Sequence, residues 1–407
     1  MSGTLIVGAS QSGIQMAASL REAGDEEPIT LVGAEPHPPY QRPPLSKAFL
    51  AGKADLASLA FRTEAFYAEQ KIDLVLGEQV VRLAPGLATT HSGRSLPFDR
   101  LALTVGARPR RLGVPGADLD GVHYLRDLDD ALRLRGRLGA ARHVVVVGGG
   151  FIGLEAAAVA RSAGKSVTVV EAADRLIPRS VAPVVSEFYR RAHQRRGSDV
   201  RLGVGVTALT GEHGQVRAVE LSDGTRVPAD LVLAGVGIVP RTELAEQLGL
   251  HCAGGIVVDE FARTSEPDVV AAGDCTVAPH PRTRDGLVRL ESVQNAIGQA
   301  KVAAATLLGR REPYSAVPWF WSDQYDLKLQ IAGLSGGHDE HVLRGDPEAE
   351  KFSVLYYRGG SLIAVDAVNS TADYLTVRKV LDRGGEISPE QARDNEVPLK
   401  RLVSPPA

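Results

Sequence analysis

Apolar positions along this chain fall into two rhythms. Thr4–Val7 is a short apolar run, Ile14–Ala23 is helix-like and stops at Gly24, and Ile29–Val32 is a second apolar run. Short runs of this kind on either side of a helix suit strands covered on both faces, so the segment predicts a β-α-β unit of parallel sheet. The succession returns at His143–Val170. There Val144–Val147 is a β-branched strand, Leu154–Ala163 a helix with Gly164 behind it, and Val167–Val170 a strand that ends in Glu171. Glycine just past the last helical residue is the usual stop. One supersecondary unit used twice suggests two nucleotide-binding domains in one chain.

Other runs fill in the plan. Leu101–Val105 reads as a strand, and Gly106-Ala107-Arg108-Pro109 as a linker after it. Leu231–Leu233, followed by Ala234-Gly235-Val236-Gly237, is the matching strand end of the second half. Ile256–Asp259 and Val269–Asp274 add two more apolar runs. From Pro318 the composition changes: both tryptophans, Trp319 and Trp321, lie there. Phe352–Tyr357 and Leu362–Val368 flank Gly359-Gly360 as a hairpin, and Ala372–Leu381 reads as a helix. The expected fold is α/β, with two Rossmann-like domains and a C-terminal α+β domain. The expected boundaries are 1–108 with 240–316, then 109–239, then 317–407.

Composition narrows the class. The 407 residues suit two or three domains of roughly 150 residues each. A net charge of −3 gives no reason to expect nucleic acid or an anionic membrane as partner. The two cysteines, Cys252 and Cys275, form no CxxC and no zinc-like cluster, so no metal site is expected. The apolar stretch Val144–Ala160 is broken by Gly148-Gly149-Gly150 and by Glu155, which argues against a membrane span. A cytoplasmic location is the default expectation. The basic run Arg190, Arg191, Arg195, Arg196 and Arg201 reads as a solvated helix face, and His193, His251 and His280 show no ligand spacing.

The glycine turns carry the chemistry. Gly148-Gly149-Gly150-Phe151-Ile152-Gly153 fits GxGxxG between a strand and a helix. One glycine makes the turn, one admits a pyrophosphate and one lets helix pack on strand. The helix N-terminus then offers free N–H groups and a partial positive charge. Glu171, closing the next strand, can accept both ribose hydroxyls and repels a 2′-phosphate, which favours NADH over NADPH. The first turn, Gly8-Ala9-Ser10-Gln11-Ser12-Gly13, has Ser10 in place of the middle glycine. Its ribose acid would be Glu35, because Ala34 occupies the nearer position.

Longer motifs make a resemblance specific. Pro39-Tyr40-Gln41-Arg42-Pro43-Pro44-Leu45-Ser46-Lys47 resembles the flavin-site loop of FAD-dependent ferredoxin reductases, which serve cytochrome P450s and ring-hydroxylating dioxygenases. Thr264–Asp274 resembles the second FAD motif of that family, Glu291-Ser292-Val293-Gln294-Asn295-Ala296 its flavin-contacting helix start, and Pro318–Gln324 the opening of its C-terminal domain. The implied architecture is that of the pyridine nucleotide-disulfide oxidoreductases with an added C-terminal domain.

The resemblance implies roles residue by residue. Gly8, Ser10, Ser12, Gly13 and Glu35 would hold the adenosine and diphosphate of FAD. Arg42, Lys47, Val80, Thr104, Gly106 and Arg126 would also contact FAD, with Lys47 beside the isoalloxazine. Gly273, Asp274, Glu291, Ser292 and Val293 would complete that site, and Trp319 or Trp321 would approach the flavin. Gly148, Gly150, Ile152, Gly153, Glu171 and Gly237 would surround NAD, with Glu155 near the nicotinamide. Lys47 and Glu155 are the candidates for direct involvement in the hydride step.

The implied activity is hydride transfer from NADH to FAD, then single electrons to a [2Fe–2S] ferredoxin that supplies a P450 or Rieske-type oxygenase. Disulfide reductases of similar architecture need a cysteine pair, and this chain has none. Arg289, Arg310, Arg311 and Lys328 are candidates for steering an acidic carrier. Two alternatives stay open at this stage: a rubredoxin reductase or NADH oxidase, and a redox sensor like the apoptosis-inducing-factor relatives.

Overall fold

Parallel strands with β-branched and aliphatic residues on both faces must be covered twice, and both halves of the chain achieve this in the same way. The structure, a computed structural model, describes residues 2–283 and 286–405. Residues 1, 284–285 and 406–407 lie outside the described residues. The chain divides into two units: residues 1–41, 56–108 and 239–320 form one, and residues 42–55, 109–238 and 321–407 the other.

In the first unit five parallel strands run in the order Val269–Ala271, Arg100–Leu103, Thr4–Val7, Ile29–Val32, Ile72–Val75. Alternate residues face opposite sides. Ile6, Ile29 and Leu31 pack under helices Gln11–Glu22 and Val293–Leu307, through Ile14, Met16, Leu20, Ala300 and Ala304. Leu5, Val7 and Leu101 pack on the other face with Leu83, Ala88 and Leu96, which come from the antiparallel strands Val80–Ala84, Leu87–Thr90 and Ser95–Pro97.

The second unit repeats the scheme. Its parallel order is Asp199–Leu202, Ser166–Glu171, His143–Val147, Leu231–Ala234, Val122–His123. Val145, Val147 and Val232 pack against Leu209, Val219 and Val227 of a three-stranded antiparallel sheet. The C-terminal sheet runs in the order Trp319–Gln324, Leu327–Gly333, Ser361–Val368, Lys351–Arg358, Glu340–Asp346. The expected hairpin is there, turning at Gly359 and Gly360, both at positive φ. Helix Thr371–Arg383 follows and ends on left-handed Gly384.

Three expectations need correction. Helices Gln11–Glu22 and Phe151–Ser162 begin at the turn itself, about one turn earlier than the apolar spacing suggested. That spacing reports the buried face and is silent on the open first turn. Gly106–Pro109 is not a bare linker: Ala107–Pro109 is a short strand paired with Ile238–Pro240. Backbone groups there need partners, and Arg241 N donates to Gly106 O at 3.0 Å while Arg110 N donates to Gly237 O at 2.9 Å. The arginine run is solvated only in part: Arg191 and Arg195 are exposed, Arg190, Arg196 and Arg201 half-buried, and each is ion-paired. Arg190 and Arg191 pair with Glu187, Arg195 and Arg196 with Glu350, Arg196 also with Asp326, and Arg201 with Asp199. Arg196 foremost, with Arg195, holds the Glu350 carboxyl down at about 2.

The C-terminal sheet buries a carboxylate. Asp366 has no exposed surface, and burial pushes its carboxyl up to about 7 although the Tyr356 hydroxyl donates to Oδ2. In the unfolded chain the same carboxyl ionises near its ordinary value of 3.8. Between these values the folded state holds the extra proton, so stability falls as pH rises. Urea unfolding should show this loss from about pH 4 to about pH 7, with a slope of up to one proton, roughly 1.4 kcal/mol per pH unit. D366N should flatten that slope.

Candidate functional site

The two glycine turns have nearly the same geometry. Gly8 and Gly148 sit at φ +116° and +107°, where a side chain would be strained. A Cβ on Gly13 would overlap the Gly8 carbonyl oxygen, and one on Gly153 would overlap that of Gly148. These pairs let each helix press its first turn onto the preceding strand. Ser10 and Gly150 are the N-caps, at φ −130° and −81°. Neither angle requires glycine, which is why serine is tolerated at the first turn. A Cβ on Gly150 would meet nothing within 4 Å, and neither helix has an acid in its first turn. Both N-termini thus fit a diphosphate. Ile152 is 41% exposed on the open side of that turn.

The acids differ. Glu171 is the last residue of its strand; its Oε2 accepts from Gly149 N at 2.6 Å and its Oε1 from Ala173 N at 2.8 Å. The carboxylate is therefore fixed against the turn. Glu35 lies beyond its strand end and accepts a hydrogen bond from the buried Tyr40 hydroxyl. Tyr40 lay inside the quoted motif, but its partner could not be read from spacing.

Gly273 and Asp274 follow strand Val269–Ala271, and a Cβ on Gly273 would meet Ser12 Oγ. Gln299 Oε1 holds this turn: it accepts from Gly273 N and Thr276 Oγ1, each at 2.9 Å, and from Asn295 Nδ2 at 3.1 Å. Asn295 Oδ1 is buried with no hydrogen-bond partner among the described residues, an acceptor that fits a ligand donor. Sequence reading missed Gln299, yet two amides four residues apart in an alanine-rich helix were a signal. Ser292 caps that helix by accepting from Asn295 N at 3.1 Å, and Val293 is its first residue. Glu291 is exposed and pairs with Arg289. Thr104 is buried, its single hydroxyl proton shared between Val7 O at 3.0 Å and Gly8 O at 2.9 Å, with left-handed Gly106 two residues on. Val80 is buried at the start of its strand.

In the second unit Lys47 Nζ meets Glu155 Oε2 at 2.8 Å and donates to Pro43 O at 3.3 Å. Glu155 is 2% exposed. Ser46 Oγ donates to its Oε2 at 2.5 Å and Ser322 Oγ to its Oε1 at 2.6 Å. Ser46 and Ser322 went unassigned in the sequence although both lay inside quoted motifs. Arg42 Nη1 donates to Arg126 O at 2.7 Å, which brings those two predicted residues together. Gly237 sits at φ +97° beside strand Leu231–Ala234. Trp321 belongs to this unit and Trp319 to the first; both are half-buried at the start of strand Trp319–Gln324.

No thiol pair is available among the described residues. Cys252 and Cys275 are free, and burial raises both thiols, that of Cys275 to about 12. Among the described residues no cluster could hold a metal ion, and no helix is long and apolar enough to cross a membrane.

The family described as pyridine nucleotide-disulphide oxidoreductase matches residues 3–300, and that described as reductase C-terminal matches residues 319–403. Rhodocoxin reductase of Rhodococcus erythropolis is 44% identical over 98% of this chain and 94% of its own length. The crystal structure of a ferredoxin reductase for the CYP199A2 system of Rhodopseudomonas palustris has a TM-score of 0.96 at 44% identity, covering 99% of this chain and 100% of that one. The covalent putidaredoxin reductase–putidaredoxin complex has a TM-score of 0.95 at 41% identity, covering 98% of this chain and 97% of that one.

The Gln299 cluster gives a direct test. Q299L leaves the buried Gly273 N–H without its acceptor and should destabilise the protein by about 2 kcal/mol. It should also release FAD on gel filtration, read as a fall in flavin absorbance relative to protein. Q299E, which keeps the acceptor, should retain more flavin.

Proposed function

The chain belongs to the pyridine nucleotide-disulphide oxidoreductase family and carries a reductase C-terminal domain, and from that premise we propose that it is an NADH-dependent ferredoxin reductase feeding a cytochrome P450 or Rieske-type oxygenase. The observation that carries this reading is a pair of dinucleotide turns in a chain whose two cysteines are separate, protonated thiols. With no dithiol to pass electrons through, a one-electron carrier outside the chain is the outlet, and a small [2Fe–2S] ferredoxin fits it. Relatives named for rhodocoxin, putidaredoxin and a P450-system ferredoxin support the assignment.

Bound FAD supplies the exchange between a two-electron hydride acceptor and a one-electron donor. The protein binds and orients. In the proposed division, residues 1–108 and 240–316 hold FAD, 109–239 hold NAD(H), and 317–407 bring the tryptophans. Gly8, Ser10, Ser12 and Gly13 take the FAD diphosphate, and Glu35 its ribose. Asp274 and the helix start at Val293 take the flavin end, with Arg42, Val80 and Arg126. Lys47 places an ammonium at the flavin; among the described residues two of its three protons have acceptors. Glu155 orients that ammonium and lines the nicotinamide position. Gly148, Gly150 and Gly153 hold the NAD diphosphate. Glu171, locked by two backbone N–H groups, accepts the ribose hydroxyls and repels a 2′-phosphate. A cytoplasmic location goes with the use of NADH as donor.

The purified flavoprotein should reduce a [2Fe–2S] ferredoxin from a panel with NADH, and far more slowly with NADPH. Rapid cytochrome c reduction without ferredoxin would overturn the reading in favour of an oxidase. Flavin bleaching by NADH that takes minutes would overturn it in favour of a sensor. E171Q should narrow the NADH preference about tenfold, the size of one charge-assisted hydrogen bond and a relieved repulsion.

A further inference from the structure

Glu155 is the end of a longer buried chain. Beyond Ser322, Gln324 Nε2 lies 3.2 Å from Ser322 Oγ, and Gln324 Oε1 lies 2.9 Å from His193 Nε2. Ser322, Gln324 and His193 are each 0% exposed. All three belong to the same unit as Lys47, Ser46 and Glu155. His193 lies on helix Pro183–Arg195, Ser322 and Gln324 on one face of strand Trp319–Gln324, and Glu155 on helix Phe151–Ser162.

Proton counting fixes the direction of every bond. Glu155 is in an ion pair with an ammonium, so its oxygens accept. Ser322 has one hydroxyl proton and gives it to Glu155 Oε1, so its oxygen can only accept from Gln324. That orients the amide with Nε2 toward Ser322 and Oε1 toward His193. An amide oxygen needs a donor, so His193 Nε2 carries the ring proton. The ring is then neutral with Nδ1 bare, and Nδ1 is indeed buried with no hydrogen-bond partner among the described residues. A protonated ring would place a second N–H where no acceptor stands. Burial, with the positive charge of Arg196, holds the His193 ring down at about 4 against the opposing hydrogen bond to Gln324. Besides Gln324 and Arg196, the ring faces Tyr325, edge to face at 5.2 Å, and Arg196 is itself neutralised by Glu350 and Asp326.

We infer that His193, Gln324 and Ser322 form a one-way array of donors that positions Glu155, and through it the Lys47 ammonium. Three neutral groups from two elements point their dipoles at one carboxylate and add no charge to it. Two consequences follow. The array keeps the Glu155 carboxylate in one orientation, with Oε1 committed to Ser322 and Oε2 to Lys47 and Ser46. It is also a poor proton path, because a relay would strip a proton from the Gln324 amide nitrogen and place one on its oxygen, so the array acts as an anchor. The link to catalysis rests on the reading above that Lys47 and Glu155 flank the reacting rings; the polarity of the array does not.

The test uses the full-length holoenzyme labelled with 15N-histidine, with H193N identifying the resonance. The expected spectrum between pH 6 and 8 is a neutral ring protonated at Nε2. A ring protonated at Nδ1, or a charged ring at neutral pH, overturns the polarity whether or not NADH reduces the flavin. Stopped-flow reduction by NADH then tests the positioning role. S322A should lower the limiting hydride-transfer rate about tenfold, as expected of a displaced orienting group, with the Kd for NADH within about twofold. S322T, which keeps the hydroxyl, should restore most of the rate. Q324E puts a carboxylate beside the ring and removes the donor to Ser322, so the His193 ring should become charged at neutral pH and the rate should fall as in S322A. An unchanged rate in S322A, or equal losses in S322A and S322T, overturns the positioning role.

Discussion

Each parallel sheet in this protein depends on a single close approach of backbone to backbone. The first turn of helix Gln11–Glu22 rests on the carbonyl of Gly8, and that of Phe151–Ser162 on the carbonyl of Gly148, at distances no Cβ would permit. The contact brings a helix N-terminus, with the N–H groups that the helix does not pair internally, to the carboxyl end of the central strand. That is where a diphosphate gains most from the helix dipole and from donors that need no side chain. Around this point each unit places an acid at or just beyond the end of the next strand and a glycine turn after the neighbouring strand.

Fixing those accessory groups falls to buried hydrogen bonds that join elements far apart in sequence. Gln299 gathers three donors and sets the Gly273-Asp274 turn. Glu155 gathers Lys47, Ser46 and Ser322, and the array behind Ser322 reaches His193. In both clusters an acceptor is buried and its donors are supplied in full. An unmatched charge or amide at such depth would cost more than the bond itself contributes. The geometry of both clusters therefore comes from buried polar groups that hold one another in place.

Much of this was legible in the chain. Strand runs and glycine turns are local signals, because a buried parallel strand and a left-handed glycine each impose a residue type at one position. The β-α-β units, the hairpin at Gly359-Gly360 and the identity of Glu171 as a strand-end acid followed from them. The first helical turns were not legible because their residues carry no apolar spacing. The pairing of Arg195 and Arg196 was not legible because Glu350 and Asp326 lie more than a hundred positions away, which no periodicity reports.

By itself the sequence determined the fold class, the two dinucleotide turns and the lack of a thiol pair, since each depends on residue types within a few positions of one another. Tertiary structure alone decided how the side chains pair. It gave Tyr40 to Glu35, Gln299 to Gly273, and Ser46 and Ser322 to Glu155, and it buried His193 beside Gln324. The physical reason is that hydrogen-bond partners inside a protein are chosen by which helix faces which strand. Single proton donors then force a direction on the network that no reading of the residues in order contains.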